Sequence, residues 1–178
     1  LLQIESGDHR AALATLAASD APDLPGNAME QRTLAAARAQ AGLGDAKAAT
    51  ALLVTLGTAA ADELRATLLH AAGDWTGAVA ALSDLAAKAL PPEGLLTEPM
   101  QDIVLRQATS AVQANDVALL ADLRRRHATR LSGTRAELFR LLTADQLRSP
   151  ADLPRAASEL ALARLVPNGP AGRGSVMK

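Results

Sequence analysis

The chain is 178 residues long, has a formal net charge of −1 and contains 42 Ala residues, but only one Trp and one Phe. The absence of Cys excludes a disulfide framework, a thiolate metal site and a thiol nucleophile, and the scarcity of aromatic residues disfavours a β-rich fold. The longest uncharged apolar stretch, about residues 48 to 61, is shorter than the roughly 20 residues that span a bilayer.

A short turn motif recurs along the chain. Its four copies are spaced 37, 29 and 42 residues apart, and they are Gly7-Asp8, Gly44-Asp45, Gly73-Asp74 and Asn115-Asp116. Gly and Asn readily adopt the left-handed backbone conformation that ends a helix, and Asp caps the helix that follows by accepting a free backbone N–H. Each copy therefore predicts the turn between two helices of a hairpin.

Small and apolar residues flank these turns at fixed distances. An Ala stands seven residues before each of the last three copies, at Ala37, Ala66 and Ala108. Five residues after each of the first three copies stands an Ala: Ala12, Ala49 and Ala78. Nine residues after the same copies stands a Leu: Leu16, Leu53 and Leu82. Ala lets paired helices approach closely, and Leu fills the groove toward the next pair, so the hairpins should stack.

Helix-breaking and helix-capping residues predict where the helices begin and end. Helices are predicted near residues 9 to 19, 28 to 42, 46 to 57, 59 to 72, 75 to 89, 98 to 114, 117 to 131, 134 to 148 and 154 to 165. Residues 1 to 6 would be the remainder of a truncated helix. This map divides the chain into a front array (residues 1 to 90), a Pro- and Gly-containing connector (91 to 97), a rear array with a terminal capping helix (98 to 165) and a disordered tail (166 to 178).

The sequence Gly73-Asp74-Trp75, followed by Ala78 and Leu82, resembles the tetratricopeptide repeat, which has a turn of this kind between its two helices. Pro91 lies near where that family often places a Pro. The resemblance covers roughly residues 28 to 90, is partial from about 97 to 123, and departs from the family's 34-residue period and aromatic positions. It implies an all-α fold, a superhelix or solenoid of stacked antiparallel hairpins. Other α-solenoids and an irregular helical bundle are the alternatives.

Catalytic and cofactor sites are not expected. His9, His70 and His127 fall in different hairpins and match no metal-ligand spacing, and His70 is expected to interact with the last carbonyls of its helix. Asp62 and Glu63 stand near a helix N-terminus, where the helix dipole accounts for them. Trp75 is expected in the core. We therefore predict no enzymatic activity, no cofactor and no metal.

Residues Arg124, Arg125 and Arg126 form the most basic run. Consecutive helical residues point about 100° apart, so this run wraps the helix and is interpreted mainly as a solvated face, with an anionic contact patch as the alternative. Nucleic-acid binding is not expected, because the chain has neither a strongly basic balance nor stacking aromatics. The charge is nevertheless uneven, at −6 over residues 1 to 100 and +5 over residues 101 to 178, which suggests either an oriented surface or compositional drift.

The resemblance implies that the first helices of successive hairpins line a concave surface that accepts a peptide. Polar residues on those helices, together with the basic run, are the candidate partner-binding residues: Arg32, Arg38, Gln40, Arg65, Gln107, Gln113, Arg124, Arg125 and Arg126. The leading hypothesis is a protein-interaction scaffold or adaptor that binds another protein or peptide.

The alternative hypothesis is a structural subunit or domain of a larger bacterial envelope, secretion or motility assembly, which packs on other domains or on copies of itself. The Ala-rich composition, with Arg favoured over Lys, is typical of a GC-rich bacterial genome. The chain begins with Leu1 rather than Met, which leaves open whether a signal peptide or another domain precedes it, and therefore the compartment.

Overall fold

The computed structural model describes residues 2 to 19 and 24 to 144, and these ranges contain nine α-helices and no strand. The helices are α1 (Leu2–Glu5), α2 (His9–Ala18), α3 (Gly26–Gly42), α4 (Ala46–Val54), α5 (Ala59–Ala71), α6 (Trp75–Ala89), α7 (Glu98–Gln113), α8 (Val117–His127) and α9 (Gly133–Leu142). The predicted all-α class is therefore confirmed for this part of the chain. The predicted helix near residues 154 to 165 and the predicted tail lie outside the described residues.

The predicted helix map agrees closely with these bounds, except at three C-terminal ends. The helix predicted over residues 134 to 148 ends at Leu142, and residues 145 to 148 lie outside the described ranges. The helices predicted to reach residues 57 and 131 end at Val54 and His127. Gly57 has a φ of 61°, and the backbone N–H of Arg130 donates to the carbonyl of His127 at 2.9 Å. Both helices therefore end in tight turns that the apolar pattern of the sequence does not show.

The four recurring dipeptides form the turns that their chemistry predicts. Their first residues have φ values of 80°, 87°, 73° and 55°, at Gly7, Gly44, Gly73 and Asn115. Each following Asp accepts the backbone N–H three residues later, at 3.1, 2.8, 2.9 and 2.9 Å, from Ala11, Ala48, Gly77 and Leu119. The motif thus both ends one helix and caps the next.

Burial explains the recurring spacing of small residues around the turns. The flanking Ala residues are almost fully buried, at Ala12, Ala37, Ala49, Ala66, Ala78 and Ala108. Leu53 and Leu82 are buried with them, whereas Leu16 in the first hairpin is only half-buried. Ala therefore lets the helices approach as predicted, and the first hairpin is packed less tightly than the others.

Packing between helices follows chain order. Each helix from α2 to α8 packs against the next, and in addition α3 contacts α1 and α5, and α7 contacts α9. We call α1, α3, α5, α7 and α9 the first helices and α2, α4, α6 and α8 the second helices. The packing of α7 on α6 continues this order across residues 91 to 97, whose Leu96 is buried with Leu123 and Phe139.

Among the described residues, no helix combines the length and the apolar character needed to cross a bilayer.

Candidate functional site

Polar side chains join the first helices to one another. Thr58, the N-cap of α5, donates to Oε1 of Glu30 on α3 at 2.6 Å. Arg106 on α7 forms an ion pair with Glu63 on α5 and donates to Oγ1 of Thr67 at 3.3 Å. These contacts link α3 to α5 and α5 to α7.

The same type of contact continues from α7 to α9. Nε of Arg135 donates to Oδ1 of Asp102 at 2.7 Å, and Nη1 of Arg135 lies 3.5 Å from Oε2 of Glu98. The two carboxylates raise the pKa of Arg135, chiefly through the hydrogen bond with Asp102, so this guanidinium stays charged. Asp102 and Arg106 are four residues apart and lie on one side of α7, so this side faces both neighbouring first helices.

Helical spacing extends this exposed side along each first helix. Gln113 lies seven residues after Arg106 and is exposed, while Arg38 is exposed on α3 and Thr67 on α5. On the same three helices, Ala37, Ala66 and Ala108 are fully buried. We call the surface defined by Arg38, Thr67, Asp102, Arg106 and Gln113 the first-helix face.

Of the six predicted groove residues on first helices, Arg38 and Gln113 are exposed, and we include them in this face for that reason. Gln40 is half-buried and stands two residues after Arg38, so it points about 200° away around α3. Gln107 is buried and donates to Oγ of Ser83 on α6 at 2.8 Å, on the side of the second helices.

The two remaining groove candidates hold the fold together. Arg32 donates to the carbonyl and the hydroxyl of Ser19, both at 2.9 Å, and to the carbonyl of Leu16, so it closes the C-terminus of α2. Arg65 lies between Asp62 and Asp84, with N–O distances of 3.4 and 2.5 Å. Both guanidiniums are engaged within the chain.

Comparison of this chain with protein-family models, with curated proteins and with solved structures finds no match.

The basic run does not form one surface. Nη1 of Arg124 donates to the carbonyl of Thr143 at 3.2 Å, beside the end of α9. Arg125 and Arg126 are exposed and both form ion pairs with Asp122, one turn earlier on α8. Arg124 thus bonds at the end of α9 whereas Arg125 and Arg126 share one carboxylate, and an anionic contact at these residues stays a prediction.

The carboxylates at the start of α5 do more than face the helix dipole. Asp62 is buried in the first turn of α5 and forms ion pairs with Lys88 on α6 and with Arg65. Glu63, its neighbour, points instead to α7 and Arg106. The sequence reading of this pair as dipole-compensating charges therefore missed its role in joining three helices.

The three His residues have separate structural environments. The ring of His9 packs on Gly42, where a Cβ would overlap it. His70 is exposed, and its ring meets that of Trp75 edge-on, with centroids 4.9 Å apart and an interplanar angle of 81°. Trp75 is half-buried, so its expected core position is wrong in part, because its ring covers the α5–α6 turn and does not enter a hydrophobic cluster.

His127 is the buried member of this set, with 5% of its surface exposed. Burial, followed by the charges of Arg130 and Arg126, lowers its pKa to about 4, so the imidazole is neutral at pH 7. Within the described ranges, no group of three or more His, Asp or Glu side chains is arranged to hold a metal ion.

Proposed function

We propose that the chain is a protein-interaction scaffold of tetratricopeptide-like type, which binds a segment of a partner protein across the first-helix face. The observation that carries the proposal is the linkage of α3 to α5, of α5 to α7 and of α7 to α9 through polar contacts between partly exposed side chains. In a stacked array of hairpins, such a surface is extended and can contact a partner along several repeats.

The charges on this face remain accessible to a partner. The side chains of Glu63 and Arg106 are 47% and 38% exposed, and those of Asp102 and Arg135 are 53% and 35% exposed. Exposed ion pairs of this kind contribute only about 0–1 kcal/mol each, so exchanging them for contacts with a partner costs little. Alternating charges favour a partner segment that carries charges of both signs.

The linkage also prepares the face for binding. Each first helix packs against the second helix of its own hairpin and is linked to a neighbouring first helix. Glu30 and Thr58, for example, link α3 to α5. A surface that is ordered before binding avoids the entropic cost of ordering on association. This supports a binding role for the face without requiring any catalytic group.

Site-specific photocrosslinking in a lysate of the source organism tests the proposal. A photoreactive amino acid replaces Arg38 or Gln113 on the first-helix face, and the matched control variants carry it at Ala51 or Ala80, which are exposed on second helices. We expect the same partner adduct from both face positions and none from the controls. Adducts formed only from the second helices, or equally from all four positions, would contradict the proposal.

A second candidate function, a structural subunit that self-associates or packs on other domains, is favoured by exposed apolar side chains at hairpin turns. Val112 and Val117 flank the α7–α8 turn, and Leu43 stands at the α3–α4 turn, all exposed. In the same experiment, adducts between two copies of the chain, together with a defined oligomer in light scattering, would support this function instead of the scaffold.

A further inference from the structure

A cleft of about 260 Å³ lies on the side of the second helices, away from the first-helix face. It is bounded by the end of α6, by the start of the connector, by Gln107 of α7 and by the end of α8. Its lining includes apolar residues, among them Ala87, Leu90 and Pro92, and polar residues, among them Gln107, His127 and Arg130. We call it the Arg130 cleft.

Arg130 is fixed in place by groups that carry no charge. Its Nε donates to the carbonyl of Gly94 at 2.8 Å, and its Nη2 donates to the carbonyl of Pro91 at 2.6 Å. A guanidinium has five N–H donors, and together with the contact to His127 three of them are used within the described residues. Its positive charge has no carboxylate partner there.

His127 lies beside Arg130 at the cleft. Nη1 of Arg130 is 3.5 Å from Nδ1 of His127. An imidazole that accepts a hydrogen bond at this contact carries its proton on Nε2, because a guanidinium only donates. In that tautomer Nε2 is a neutral donor, for which the described residues provide no hydrogen-bond partner.

The other guanidinium at the cleft is only partly compensated. Arg126 lines the cleft and forms an ion pair with Asp122, but this single carboxylate is shared with Arg125. No carboxylate lines the cleft in the described part of the chain. The cleft therefore carries an excess of positive charge, which favours a negatively charged ligand.

We propose that the Arg130 cleft binds a small monocarboxylate with a short aliphatic chain. The carboxylate accepts hydrogen bonds from the free donors of Arg130 and from Nε2 of His127, and the aliphatic chain packs on Ala87, Leu90 and Pro92. The volume is just below the range of drug-sized ligand pockets, about 300–1,000 Å³, so the ligand is smaller than a drug-sized molecule. This site is independent of the proposed scaffold function.

Titration of the 178-residue chain with sodium butyrate tests the proposal, with calorimetry for affinity and backbone amide chemical shifts for location. We expect saturable binding, with shifts concentrated at Ser83, Gln107 and Arg130. Butylamine tests the need for negative charge, and inorganic phosphate tests the need for an aliphatic chain; neither should bind with comparable affinity. Absence of saturable butyrate binding, or equal affinity for phosphate, would overturn the proposal.

Three variants locate the site. Arg130→Gln should weaken butyrate binding by about tenfold, the loss expected for a hydrogen bond to a charged group. Arg130→Gln also releases the carbonyls of Pro91 and Gly94, so a second variant is needed. Ala87→Phe fills the cleft without removing a charge and should abolish binding. Arg125→Gln is the matched control, since Arg125 shares Asp122 with Arg126 but does not line the cleft, and it should bind as the parent chain does. Wild-type affinity in Ala87→Phe, or equal losses in Arg125→Gln and Arg130→Gln, would assign the binding to general surface charge and refute the site.

Discussion

Replacing Asp74 with Ala tests whether the recurring Gly-Asp turn stabilises the fold through its cap. Oδ1 of Asp74 accepts the N–H of Gly77 at 2.9 Å, and removing such an N-cap typically costs about 1 kcal/mol. For a chain of this length that corresponds to a fall in Tm of roughly 2–4 °C. Thermal and urea denaturation followed by circular dichroism measure both quantities.

The structure offers two controls for this substitution. Thr97 is the N-cap of α7 but makes no capping hydrogen bond through its side chain, so Thr97→Ala should leave the free energy of unfolding nearly unchanged. Asp74→Asn keeps a capping oxygen and should retain most of the stability. Equal losses in Asp74→Ala and Thr97→Ala, or a full loss in Asp74→Asn, would refute the capping mechanism.

Two further predictions concern single residues. Gly77→Ala should raise the free energy of unfolding by up to about 1 kcal/mol in urea denaturation, since Ala favours helix over Gly. The Asp74 side chain has to shift, because its Oδ2 and Cγ would lie 2.6 and 2.9 Å from the new Cβ. Asp45 caps an Ala, Ala48, at 2.8 Å in the equivalent turn, so the cap is compatible with Ala at this position. His127 has its pKa lowered from 6.5 to about 4 in the folded state, so the unfolded chain binds the extra proton and stability should fall as the pH drops from 6.5 to about 4. The difference in the free energy of unfolding between the parent chain and His127→Gln, measured from pH 6.5 to about 4, should shrink toward acid pH. A constant difference would contradict a lowered pKa of His127.

Much of the fold was predictable because local chemistry determines the turns. A residue that accepts a positive φ, followed by Asp, specifies both the end of one helix and the start of the next, and this held even for Asn115. Helix ends without such a motif were less predictable. The end of α8 depends on the side chain of Arg130, which binds carbonyls of the connector 36 and 39 residues earlier, and such contacts leave no periodic signal in the sequence.

The binding surface was less predictable because it depends on helix phase. Arg38 and Gln40 were grouped because both are polar residues on a first helix. Residues two positions apart on a helix, however, point in nearly opposite directions. The useful signal was the spacing of Asp102, Arg106 and Gln113, at intervals of four and seven residues, which places all three on one side of α7. Their partners, such as Glu63 on α5, could be assigned only from the packing.

The small size of Ala links the stability of the hairpins to one another. A buried Ala removes little apolar surface from water, so a single hairpin gains little from its own interface. The three hydrophobic clusters accordingly join elements of successive hairpins: Leu34, Leu53 and Ala61 connect α3 and α4 to α5, Ala66 and Leu82 connect α5 and α6 to Ile103 of α7, and Phe139 connects α9 to α7 and α8. Each hairpin therefore depends on its neighbours for stability. A partner that contacts α5 and α7 together would stabilise both hairpins, because it adds contacts at the interface on which each of them depends.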